Sequence, residues 1–239
     1  MIPKTIHYCW FGRGPKPELA LKCIESWHRY MPDYEYKLWD ESNFDVNIVP
    51  YTKEAYEAHK YAFVSDYVRL WALEREGGIY LDTDVVAFKS FDDLLVWKAF
   101  VGFEGSKTTP VGTCVMATEP HGVWINEQLE RYQGRHFVLE DGQWDQTTNV
   151  QFITKHMSEN GLVLNGLEQD YKDLHVFPVE YFCPRQTTGE YLRTDVTYCD
   201  HLGLGSWTAG KSGIKSGILR FFGPKGRIRL IRLKRKLFG

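Results

Sequence analysis

The sequence predicts an α/β domain built on a parallel sheet with helices on both faces. Three observations carry this. Strand and helix patterns alternate from residue 5 to residue 84, the arrangement that builds parallel sheets. A strongly periodic helix is cut off at Gly77-Gly78. The next three residues, Ile79-Tyr80-Leu81, form a short apolar run of the kind that fills a strand buried on both sides.

Thr5 to Cys9 reads as the first strand, followed by Trp10 and the turn residues Phe11-Gly12-Arg13-Gly14-Pro15. A helix from about Glu18 to Tyr30 is stopped by Pro32. Tyr34 to Trp39 is a second strand, and Tyr51 to His59 a second helix. In the third helix Phe63, Val64, Tyr67, Val68, Trp71 and Ala72 recur at three- and four-residue spacing. Gly77, with no Cβ, suits the left-handed position that closes it. Val85–Ala87, Ala99–Phe103 and Val111–Ala117 are expected as further strands, His121–Tyr132 and 145–157 as helices, with Asp145 near the start of the latter. Short strands are expected at Leu162–Leu164, His175–Phe177 and Thr197–Cys199.

The chemistry concentrates where the third strand ends. Asp82 and Asp84 stand one residue apart there, and ligands of open α/β sheets bind at strand ends. Two close carboxylates resist joint ionisation unless something positive compensates them. A divalent cation is the natural compensator, and it can in turn hold a diphosphate. Asp-x-Asp also marks solvated turns, and Asp66 and Arg69, three apart on one helix face, also suit a surface ion pair. Trp10 suits either stacking on a base or a place in the core or a loop. His201, beside the glycine-rich HLGLGSW, suits either a metal ligand or polar surface.

Composition narrows the class. The 239 residues are 43% hydrophobic and 15% aromatic, enough for a sizeable core. Five cysteines with no C-x-x-C argue against a disulfide framework and a structural zinc site, and favour a reduced, cytosolic setting. The N-terminus shows no apolar signal region, and no 18-residue apolar run is present. Residues 211–239 hold ten Lys/Arg and no Asp/Glu, so the first 210 carry a formal charge of −12. This divides the chain into a domain, 1–210, and a basic tail. In RIRLIRLKRKLFG, Leu230, Ile231, Leu233, Leu237 and Phe238 form one helical stripe among basic residues, a pattern suited to an anionic membrane surface. The acidic body argues against nucleic acid.

IPKTIHYCWFG, FVSDYVRLWALEREGGIYLDTD and HLGLGSW, in that order, resemble the DXD sugar-binding glycosyltransferases, in particular glycosyltransferase family 32. They are similar, more distantly, to the glucosyltransferase domains of large clostridial toxins. The resemblance spans residues 2 to 207. It implies a GT-A fold, Rossmann-like with a mixed, mainly parallel sheet, a nucleotide-sugar donor (a UDP-sugar first, a GDP-sugar second), Mn²⁺ or Mg²⁺, and transfer with retention. It implies that Trp10 stacks on the donor base, and that Asp66 and Arg69 hold the transferred sugar and diphosphate. Tyr80 then lines the donor pocket, and Asp82 contacts ribose or sugar and the metal. Asp84 binds the metal directly, His201 adds a ligand, and Ser206 and Trp207 reach the diphosphate. Family members often carry Thr-Gly-Pro where this chain has Thr148-Asn149-Val150, a departure on the acceptor side. With the tail, the resemblance leads to an expected hexosyltransferase at the inner face of a membrane, acting on a saccharide acceptor, possibly lipid-linked, in bacterial surface polysaccharide synthesis. A protein-modifying glycosyltransferase and a non-catalytic nucleotide-sugar-binding protein are the alternatives.

Overall fold

The computed structural model describes residues 1–105, 109–185 and 190–203. Ser206, Trp207 and the basic tail lie outside the described residues. The chain runs β1 (Thr5–Cys9), α1 (Glu18–Tyr30), β2 (Glu35–Trp39), α2 (Pro50–Glu57), α3 (Tyr61–Glu76), β3 (Gly78–Leu81) and β4 (Val85–Ala87). It continues with β5 (Ala99–Phe103), β6 (Val111–Thr118), α4 (Val123–Glu130), α5 (Asn149–Glu159), β7 (Gln169–Tyr171), β8 (Leu174–Phe177) and β9 (Cys199–His201). Seven strands form one sheet in the order β2-β1-β3-β6-β5-β8-β7, and β4 and β9 form a separate pair. β6 and β7 run against the other five strands of the large sheet. The sheet is thus mixed and mainly parallel, as expected.

Both faces are covered. On β3, Tyr80 joins the apolar cluster under α2, α3, α4 and α5, while Ile79 and Leu81 join the opposite cluster with Trp27 and Met31 from α1 and its C-terminal end. A strand buried on both sides has no polar face, which is why its sequence does not alternate. Between α3 and β3, Gly77 and Gly78 both have positive φ, 65° and 96°. A Cβ on Gly78 would stand 2.6 Å from the Thr5 carbonyl oxygen, so only glycine lets β3 start this close to β1. Buried His7 ties the junction. Trp39 Nε1 donates to its Nδ1 (3.1 Å), so its Nε2–H faces the Gly77 carbonyl oxygen (2.8 Å).

Four expected elements are absent or begin two or more residues later. Leu162–Leu164 is not a strand, because the Gln169 side chain satisfies both the N–H and the C=O of Val163. The strand preceding β8 is instead Gln169–Tyr171. The helix expected over 145–157 begins at Asn149. Arg135 holds Asp145 at 2.7 Å in the preceding loop, and Thr148 and Gln151 form a reciprocal capping box. The helix expected from His121 begins at Val123, since His121 has φ of 58°. The last strand is shifted from Thr197–Cys199 to Cys199–His201, because Thr197 N–H closes a turn on the Thr194 carbonyl.

Candidate active site

Asp82 extends β3 by one residue, its N–H donating to the Cys114 carbonyl of β6 (2.9 Å). The chain then turns, with Val85 N–H on the Asp82 carbonyl (3.0 Å), and enters β4. β4 pairs antiparallel with β9 so that Val85 lies opposite His201. Leu202 N–H donates to the Asp84 carbonyl (3.0 Å), locking β9 to the turn. This register sets His201 Nε2 3.3 Å from Asp84 Oδ1. One donor atom each from Asp82, Asp84 and His201 lies within 4.8 Å of the others. Opposed ligands of an ion bound at about 2.1 Å stand about 4.2 Å apart, so small side-chain rotations suffice to close the three on one cation. Two carboxylate oxygens and an imidazole suit Mn²⁺, with Mg²⁺ compatible. Burial pushes the His201 pKa down, but the Asp84 carboxylate and the Cys114 sulfur together outweigh it, and the net displacement is well upward. A bound cation must displace that proton, so affinity falls toward acid pH.

Arg69 is the buried hub beside this group. Its guanidinium donates to the Thr113 carbonyl (2.7 Å) and the Ser65 carbonyl (3.3 Å), and pairs with Asp66 and Asp82, each at 3.2 Å. It also stacks over the Tyr80 ring at 4.5 Å. The Asp66–Arg69 pair is therefore not a surface ion pair. Most of the guanidinium N–H groups are engaged within the protein, so Arg69 fixes the two carboxylates in place. Burial raises the Asp66 pKa to about 6 against the pull of Arg69. Tyr80 is buried, and its hydroxyl donates to Asp82 Oδ1 (3.0 Å). It backs the carboxylate from beneath.

Trp10 follows β1 directly, and the register of β1 on β3, His7 opposite Tyr80, puts it at the same sheet end as Asp82. Its Nε1–H donates to the Gly14 carbonyl (2.7 Å) and its backbone N–H to the Trp39 carbonyl (3.0 Å), leaving the half-buried ring as the open feature. Two clefts lie elsewhere. One is lined by Trp97, Lys172 and His175, the other by Arg131, Arg135 and the outer side of α5; neither includes Trp10, Asp82 or Asp84. Carboxylates and a ring gathered at a strand end are the stronger pointer, because they carry the chemistry.

One further residue belongs to the site. The Asn149 backbone N–H, at the start of α5, donates to Asp66 Oδ2 (3.2 Å), and its side-chain amide donates to the Asp66 carbonyl (2.8 Å). Tyr132 holds the Asn149 side-chain oxygen (3.0 Å). The Thr148…Gln151 spacing is the sequence signal for this helix start. The departure from Thr-Gly-Pro thus falls on a residue that grips Asp66.

Residues 17–101 match the family described as the glycosyltransferase sugar-binding region containing the DXD motif. The chain is 37% identical over 115 residues to inositol phosphoceramide mannosyltransferase 3 of Schizosaccharomyces pombe, covering 46% of this chain and 31% of that protein. It is 32% identical over 195 residues to glucan organizing enzyme 1 of Cryptococcus neoformans, covering 66% and 51%. It thus spans about a third to a half of these relatives. Among solved structures, the PaToxG glycosyltransferase aligns with a TM-score of 0.49 at 20% identity, over 67% of this chain and 70% of that one.

Proposed function

We propose, from the premise that residues 17–101 are the sugar-binding region of a DXD glycosyltransferase, that the chain moves a sugar from a nucleotide-diphosphate donor to a saccharide acceptor with a divalent cation, Mn²⁺ or Mg²⁺, at Asp82, Asp84 and His201. The observation that carries this is the convergence of those three side chains at one strand end, beside the buried Arg69–Asp66 pair. A cation held there supplies Lewis-acid stabilisation of the leaving diphosphate. The protein's own groups do the rest. Arg69 and Tyr80 hold Asp82, while Asn149 and Arg69 hold Asp66 toward the transferred sugar. Trp10 offers a ring for the base, and Ser206 and Trp207, outside the described residues, are assigned to the diphosphate by the family resemblance alone. Transfer proceeds with retention, the leaving phosphate accepting the acceptor's proton.

A UDP-sugar is one donor. A GDP-sugar is the second, and the name of the S. pombe relative, a mannosyltransferase of inositol phosphoceramide, supports mannose as the transferred sugar and a lipid-borne acceptor. It does not single out bacterial surface polysaccharide, which stays one setting for such an acceptor. The basic residues of 211–239 support a peripheral place on the cytoplasmic face of an anionic membrane. No helix among the described residues is long and apolar enough to cross one.

The test is a panel of UDP- and GDP-sugars, with Mn²⁺ or EDTA, followed by calorimetric binding and donor hydrolysis. We expect metal-dependent binding and turnover in wild type, and loss of both in a folded Asp84→Asn variant. Equal turnover in excess EDTA, or by Asp84→Asn, refutes the cation's role. Binding without any turnover favours a non-catalytic nucleotide-sugar-binding protein.

A further inference from the structure

The thiols of Cys114, on β6, and Cys183, after β8, are buried with their sulfur atoms 3.4 Å apart. The half-buried Glu104 carboxylate and His201 complete a group in which one donor atom from each residue lies within 4.8 Å of the others. Two thiolates on one tetrahedral Zn²⁺, at about 2.3 Å each, stand about 3.8 Å apart. The sulfur pair therefore needs to open by only a few tenths of an ångström. Two sulfurs, one imidazole nitrogen and one carboxylate oxygen make a softer set than the two carboxylates and imidazole of Asp82, Asp84 and His201. The four residues come from four separate segments, so no C-x-x-C spacing announces them in the sequence.

We propose that Glu104, Cys114, Cys183 and His201 form a second cation site, selective for a thiophilic divalent ion such as Zn²⁺. His201 belongs to both ligand sets, so a cation here engages the same side chain as the cation proposed at Asp82 and Asp84. That consequence rests on the proposed transferase function; the ligand set does not.

Full-length protein, reduced and metal-free, is titrated with Co²⁺ and followed by absorption. One equivalent is expected to give an intense near-ultraviolet sulfur-to-cobalt charge-transfer band, which one equivalent of Zn²⁺ removes and excess Mg²⁺ does not. Cys114→Ser and Cys183→Ser should each lose most of the band. Glu104→Gln, at a half-buried position that tolerates an isostere, should keep the band but bind roughly tenfold more weakly. Asp84→Asn should keep the band at full strength, which separates this site from the donor site even if no sugar transfer is found. A reduced wild type with no thiolate band, or a band unchanged in both serine variants, overturns the proposal.

Discussion

Replacing Arg69 by Met should lower stability steeply, and the size of the loss follows from what the guanidinium touches. Removing it leaves Asp66 buried without its cation and the Thr113 carbonyl without its 2.7 Å donor. Asp66 escapes by taking up a proton. With its pKa already near 6, neutralising it at about pH 7.5 costs about 2 kcal/mol, at roughly 1.36 kcal/mol per pH unit. An orphaned buried carbonyl adds about 1–3 kcal/mol. The sum, about 3–5 kcal/mol, matches the usual cost of breaking a buried ion pair from one side. For a chain of this size it corresponds to a fall in Tm of roughly 6–20 °C. The pH dependence has a definite sign. The Asp66 pKa in the variant lies above that in wild type, so the variant's folded state binds more protons, and its deficit grows as pH rises through about 6. Differential scanning fluorimetry of both proteins between about pH 5 and 8 measures it. Adding Asp66→Asn to the Met variant should recover about the 2 kcal/mol charge component. A Tm within about 2 °C of wild type at all pH values refutes the assignment of Arg69 as the clamp on these carboxylates.

Three other outcomes are expected. Gly78→Ala should destabilise by about 2–4 kcal/mol in urea denaturation, because positive φ and a 2.6 Å approach to the Thr5 carbonyl act together; a loss under about 0.5 kcal/mol contradicts the close β1–β3 approach. Burial lowers the His7 pKa, so below about pH 6.5 the unfolded chain binds a proton the folded one refuses, and stability falls with acid. Wild type minus His7→Gln should isolate that slope from the opposite contribution of Asp66, and a parallel pair of curves argues against a neutral buried imidazole. Asn149→Ala should lose about 1–3 kcal/mol by orphaning the Tyr132 hydroxyl and the Asp66 carbonyl, with wild-type stability in urea as the contrary result.

What could be read from the sequence was local. The α3 stop at Gly77-Gly78, the buried run of β3 and the two aspartates after it occupy one short stretch, so periodicity and glycine chemistry suffice. His201 lies far away in sequence. Only the β4–β9 register brings it to Asp84, and spacing left it open between ligand and surface residue. Asp66 and Arg69 share a helix face, but burial, which turns an ordinary pair into a clamp, depends on β6 and α5 closing over them. β7 gives no sequence signal, because Gln-Asp-Tyr carries no apolar run, while Leu162–Leu164 has one but the Gln169 side chain takes the backbone groups of Val163. The Thr148…Gln151 box is a local signal that a helix start near Asp145 passes over, and nothing local says that Asn149 faces Asp66.

The β4–β9 ladder has a consequence for the order of assembly. A nascent polypeptide emerging from the ribosome presents Asp82 and Asp84 well over a hundred residues before His201 is synthesised. Until then β4 has an unpaired edge and the acidic turn lacks its imidazole. Pairings so distant along the chain form late, so the fold can gather its large sheet first and finish the edge that carries Asp84 and His201 last.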